Sequence, residues 1–170
     1  MDRLEDLPAR TGERPLTRRS MPHQQLTQNA PRALQEALFE RARALPGVRV
    51  APSRISVPGA RAFDLDPERA RGPAEAFVFG YEFAHLHPPY DGSLHLSLPP
   101  ELAERVVERG WGEFHPLVAQ GVLPPTYGMV YGPRDEAELE VVWRILQASY
   151  AFACGEWMEP IQAQKGDRNK

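Results

Sequence analysis

Glu82-Phe83-Ala84-His85-Leu86-His87-Pro88-Pro89-Tyr90-Asp91-Gly92-Ser93-Leu94-His95-Leu96-Ser97-Leu98 decides the fold. Polar and apolar residues alternate on either side of a Pro-Pro-Tyr-Asp-Gly turn, which is the pattern of a β-hairpin. The alternation collects the histidines on one face and the leucines on the other. If the hairpin closes symmetrically about Tyr90, His85 faces His95 and His87 faces Ser93. Opposed residues of an antiparallel pair hold their Cβ atoms roughly 4.5–5.5 Å apart. Three imidazoles then share one patch of sheet.

Outward from the hairpin, the periodicity changes to that of helices. Leu34, Leu38, Ala42 and Leu45 form one stripe, which predicts a helix over 31–45 closed by Pro46-Gly47. Residues 48–50, 53–57 and 60–65 read as short strands. Residues 75–81 read as a strand that runs on into the hairpin. A second helix is expected after Leu98, opened by Pro99-Pro100 and ended by Gly110. Residues 111–117 read as irregular and 126–132 as the last strand. Asp135 and Glu138 make a capping-box signal for a final helix to about Cys154. The fold class is therefore α+β: a single domain in which helices pack on an antiparallel sheet. Residues 1–28 mix charge with Pro, Gly, Thr and Gln without periodicity, which reads as a disordered N-terminal tail. The folded domain is expected over 29–157, with a polar C-terminal tail over 158–170. Met21, after Arg18-Arg19-Ser20, is a candidate initiator of a shorter product.

Composition narrows the function. The chain has 170 residues and a formal net charge of -3. There is no global basic field, so a nucleic-acid partner is not expected. No apolar run approaches the roughly 20 residues that span a bilayer. No secretory signal is visible at the polar N-terminus. The expectation is a cytoplasmic protein with a small-molecule ligand and no membrane partner; nothing in the sequence signals an oligomeric state. Cys154 is the one cysteine, so an internal disulfide is impossible. Lys165 and Lys170 are the only lysines, so Schiff-base chemistry and a P-loop have no residue to use.

The chemistry is expected at His85, His87 and His95, with His115 nearby. Imidazole moves protons near neutral pH and also binds metals. One reading is metal-free and cofactor-free: a neutral His85 or His95 takes a proton, and the other rings hold the resulting oxyanion. The other is a divalent metal ion on His85, His87 and His95, completed by Glu82, Asp91 or Glu113. Trp111, Phe114, Tyr127 and Tyr131 are candidates for an aromatic pocket wall. Ser93, Trp111, Arg61 and Tyr131 are the candidate substrate contacts. Arg54 and Arg134 are further candidates for an anionic ligand. Ser93 and Ser97 share the histidine face, but neither lies in a Gly-x-Ser-x-Gly elbow, which argues against a serine hydrolase.

Several blocks carry a family resemblance. They are Ser53 to Phe63, Glu82 to Pro88, Gly92 to Leu98, the run Gly110-Trp111-Gly112-Glu113-Phe114-His115-Pro116-Leu117, and Tyr131-Gly132-Pro133-Arg134. Together they resemble the luciferase-domain family, which groups bacterial proteins with the luciferases of bioluminescent fungi. The resemblance covers roughly residues 30–154. It implies addition of O2 to a hydroxylated pyrone without an organic cofactor, with His85, His87, His95 and His115 as catalytic residues. The expected function is a cofactor-independent oxygenase acting on an aromatic or enolisable molecule. A small-molecule binding protein and a histidine-ligated metalloenzyme are the alternatives.

Overall fold

The computed structural model describes residues 4–157. Its strands are β1 (Thr17–Arg18), β2 (Gln24–Gln25), β3 (Val48–Pro52), β4 (Arg61–Leu65), β5 (Glu82–Leu86), β6 (Leu94–Ser97), β7 (Gly112–Phe114) and β8 (Tyr127–Val130). Its helices are α1 (Arg32–Arg43), α2 (Pro100–Glu108), α3 (Pro116–Ala119) and α4 (Glu136–Ala153). Strands β3 to β8 form one antiparallel sheet in the order β3-β4-β5-β6-β8-β7. The α+β class is as the sequence predicts. No helix among the described residues is long and apolar enough to cross a membrane.

The hairpin occupies the centre of the sheet, in the predicted register. His85 pairs with His95, and the His87 N–H donates to the Ser93 carbonyl at 2.9 Å. Asp91 and Gly92 N–H groups both reach back to the Pro88 carbonyl, closing the turn. Gly92 has φ +73°, and a Cβ there would also strike the Gln35 amide beneath it. Only glycine meets both conditions without strain.

Parity sorts the two faces. Phe63, Leu65, Ala84, Leu86, Leu94 and Leu96 point to the helices and join Leu38, Val142, Ile145 and Leu146 in one core. α4 earns its place there by a long apolar stripe and a firm start: Asp135 caps it by accepting from the Glu138 N–H at 2.8 Å. The Glu138 carboxylate does not return to Asp135, as a full capping box would require; it binds the Arg134 guanidinium and N–H.

The opposite face is where expectation and structure part. Strands β5 and β6 are buried on both faces, because residues 4–28 are not a disordered tail but lie across the sheet. Leu4 and Leu7 are each 1% exposed. The Trp111 indole donates to the Pro8 carbonyl at 2.6 Å, and Arg10 N–H donates to the Arg109 carbonyl. Thr17–Arg18 and Gln24–Gln25 pair into a small sheet, and the Gln25 N–H donates to Asp91 Oδ2. Backbone and side-chain hydrogen bonds, together with two anchoring leucines, hold this strap without any repeating apolar pattern.

Smaller differences have local causes. Residues 53–57 form a loop rather than a strand. Residues 75–81 are not a continuous strand: Pro73 opens a 3-10 turn at Ala74–Ala76, and the chain reverses tightly so that Phe79 bridges Glu82. The segment 111–117 contains β7, an edge strand paired to β8. The tail expected over 158–170 lies outside the described residues.

Candidate functional site

All five histidines of the chain converge beneath the strap. His85 and His87 come from β5 and its end, His95 from β6, His115 from the loop before α3, and His23 from the strap. All five are 5% exposed or less. Their rings are close: His87 and His95 have centroids 4.5 Å apart, His85 and His95 5.2 Å, His23 and His115 5.1 Å. They line a cavity of about 350 Å³ with Tyr127, Ser56 and the strap residues Met21 and Pro22. A cavity of equal volume lies against α4 at Leu45, Ala148, Tyr150 and Ala151, and no histidine reaches it.

Three carboxylates hold three of the rings from outside. Nδ1 of His85 is 2.6 Å from Glu82 Oε1, Nδ1 of His87 is 2.7 Å from Asp91 Oδ2, and Nε2 of His23 is 2.7 Å from Glu113 Oε1. A carboxylate only accepts, so each of these ring nitrogens carries the hydrogen. Their opposite nitrogens, His85 Nε2, His87 Nε2 and His23 Nδ1, then present lone pairs. His95 sits between two of these: its Nδ1 is 2.8 Å from His87 Nε2 and its Nε2 2.9 Å from His23 Nδ1. His115 is oriented differently. Its Nδ1 accepts the Leu117 N–H at 3.2 Å, which leaves the hydrogen on Nε2.

The carboxylates are themselves anchored. Ser93 N–H and Oγ donate to Asp91 Oδ1 at 3.0 and 2.5 Å. Thr17 Oγ1 and the Tyr131 hydroxyl donate to Glu113, and Ser53 Oγ donates to Glu82. Burial alone raises the Asp91 and Glu113 carboxyls, but the hydrogen bonds from His87 and His23 prevail and hold both below their ordinary values. The rings move the other way. Burial lowers His85, against the pull of Glu82. Burial and then the neighbouring rings lower His95 well below its ordinary value. Burial brings His115 down to about 4. Burial also pushes the Tyr127 hydroxyl well up and, with Glu113 beside it, lifts Tyr131 to about 12. Burial thus favours the neutral form of the His85, His95 and His115 rings, beside the ionised form of Asp91 and Glu113.

The sequence places His85, His87, His95, His115 and Tyr127 together, and so does the fold. The four expected substrate contacts do not line the cavity. Ser93 lies behind Asp91 and positions it. Tyr131 lies behind Glu113. Trp111 packs in the core and anchors the strap. Arg61 has the wrong parity: it leaves the sheet on the helix face, where it forks onto Glu36 and covers the Phe39 ring at 3.8 Å. Arg54 meets Asp64 and Arg134 meets Glu138. Ser97, on the histidine face, is buried with its Oγ unpartnered. His95, one of two candidate bases, has both nitrogens engaged. His85 Nε2 is buried and has no partner.

His23, Ser56 and Met21 were not legible as site residues. His23 stands alone in an aperiodic polar stretch, and nothing in its spacing ties it to β6, 72 residues away.

Comparison with known proteins places these residues in a family. The family model "Luciferase domain" matches residues 80–149, a span holding four of the histidines and all three of the carboxylates described. A curated protein named Luciferase from Armillaria mellea is 34% identical over 166 residues, 88% of this chain. One from Armillaria ostoyae is 32% identical over 167 residues, and one from Neonothopanus nambi is 42% identical over 73 residues, 42% of this chain. The chain spans 62% of the length of the Armillaria relatives. No solved structure matches it. With a sheet whose central hairpin lies within the matched segment, and with these relatives along most of its length, the chain belongs to the luciferase-domain family.

Proposed function

We propose that this protein is an oxygenase-type enzyme that adds O2 to an enolisable hydroxy-aromatic molecule bound in the histidine cavity. The observation that carries the reading is His85 Nε2: a buried lone pair, unpartnered, on a ring whose other nitrogen is locked to Glu82. An enol oxygen arriving there meets a ring lone pair without a competing bond. The His115 Nε2–H is a donor for a second substrate oxygen, and Tyr127 offers a flat apolar wall. A cavity of about 350 Å³ suits a molecule of one or two rings.

The chemistry balances without an organic cofactor. The enol proton leaves to the floor of the cavity, and the anion becomes electron-rich at the adjacent carbon. A C–O bond forms between that carbon and O2. The proton returns to the terminal oxygen, so the carbon is oxidised and O2 is reduced to a hydroperoxide. The strap keeps bulk water from this anion.

Oxygen uptake with a panel of hydroxylated pyrones and related enols tests the reading. Turnover is expected with at least one of them, and His85→Ala should lower it by about 100-fold or more, the usual contribution of a positioned base. The absence of uptake with every member of the panel, by a folded protein, overturns it.

A further inference from the structure

The hydrogen count around His87 and His95 does not close with neutral rings. Asp91 fixes the hydrogen of His87 on Nδ1, so Nε2 is a lone pair, to which the Ser56 hydroxyl can donate at 3.3 Å but His95 must still answer at 2.8 Å. Glu113 fixes that of His23 on Nε2, so His23 Nδ1 can only accept. His95 Nε2 must therefore donate to it, which leaves His95 Nδ1 a lone pair. These two lone pairs, His87 Nε2 and His95 Nδ1, face each other at 2.8 Å. Two acceptors at that distance repel unless a cation lies between or beside them. A third lone pair, His85 Nε2, is buried, without a hydrogen-bond partner, and set by Glu82 in the same way. Each of the three rings offers a nitrogen within 4.8 Å of one on each of the other two.

We propose that His85 Nε2, His87 Nε2 and His95 Nδ1 hold a divalent first-row transition-metal ion. Every outer nitrogen of the trio already donates elsewhere, to Glu82, to Asp91 and to His23. Metal-binding histidines characteristically donate their second N–H to a carboxylate or another acceptor, which fixes the tautomer and raises ligand basicity. Glu82 and Asp91 are both buried, and a dication offsets their charge where neutral rings do not. Three imidazoles select ions such as Fe(II), Co(II), Cu(II) or Zn(II) over Mg(II) and Ca(II), which prefer oxygen. The cavity side supplies the open coordination positions of a catalytic rather than a structural site. A second trio, His23, His95 and His115, is equally compact. It is the weaker claim, because His115 spends its Nδ1 lone pair on Leu117 and presents a hydrogen on Nε2.

With the ion bound, His85 Nε2 is a ligand and no longer the free base of the proposed function, so the two are alternative uses of one lone pair. The site stands whether or not the protein consumes O2, and its test reads binding. Full-length protein without a histidine tag, stripped with chelator, is titrated with Co(II) chloride and followed by visible absorption, with Zn(II) as competitor. One equivalent is expected, with ligand-field bands and Zn(II) displacement. Glu82→Gln keeps the ring and its shape but no longer fixes the tautomer; it should weaken binding roughly 10–100-fold. His85→Ala should weaken it further, and His115→Ala should still bind one equivalent. Absence of stoichiometric binding by folded wild-type protein overturns the proposal, and leaves a proton between His87 and His95. Loss in His115→Ala with retention in His85→Ala overturns it in favour of the second trio.

Discussion

Three carboxylates decide what the histidines of this protein are. A solitary imidazole in a core is ambiguous, since either nitrogen can carry the hydrogen. Glu82, Asp91 and Glu113 remove that freedom and turn the basic edges of His85, His87 and His23 inward. The sequence offers these carboxylates only as completing ligands of a metal site, and Asp91, from within the hairpin turn, is one of them. It is a positioner that also caps the turn through Ser93, because a carboxylate with four lone-pair sites can do both. His115 carries a separate consequence, for stability. Burial holds it near 4 in the fold against an ordinary 6.5. Between pH 6.5 and 4 the unfolded chain binds a proton there that the folded chain refuses. Stability from this residue is therefore complete above that window and falls as pH drops through it, at up to about 1.4 kcal/mol per pH unit. Melting temperature should decline over that range, and His115→Asn, which keeps an acceptor for the Leu117 N–H, should shallow the decline. An identical slope in the variant would count against the assignment.

The hairpin β5–β6 was legible down to its register because the alternation of leucine and histidine allows only one parity. Arg61 was misplaced for the same reason that the hairpin was not: β4 has no such alternation, and its neighbour Phe63 looks equally apolar from either side. The edge strand β7 was missed because it is three residues long and glycine-led. Its value is positional, since it carries Glu113 to His23. Gly112 lets it do so: a Cβ there would stand 2.2 Å from the Met129 carbonyl oxygen on β8. Gly112→Ala must push the two strands apart. The expected cost is about 1–3 kcal/mol, read as a lower urea midpoint at unchanged slope. A fully stable variant would mean that β7 lies farther from β8 than described.

Across the whole molecule, the fold has two parts of different legibility. The sheet and its helices follow from periodicity, but the strap over residues 4–28 does not, because its grip comes from two leucines and from hydrogen bonds made one at a time. Its removal should be felt twice. A chain beginning at Asn29 exposes the pockets of Leu4 and Leu7, worth roughly 1.5–3 kcal/mol each, and loses His23 from the cavity. Equilibrium unfolding of that chain should show a stability loss of at least about 3 kcal/mol, and an unchanged midpoint would argue that the strap is not part of the fold.

Trp111 gives the strap a signal of its own. Its indole N–H is tied to the Pro8 carbonyl at 2.6 Å, and the ring is 3% exposed. Indole emission reddens when the ring meets water, so lifting of the strap is written into the intrinsic fluorescence. The other two tryptophans, Trp143 and Trp157, lie elsewhere, and the difference between native and Trp111→Phe spectra isolates this one. The protein thus carries a built-in optical reporter of whether the strap is seated, readable without any label.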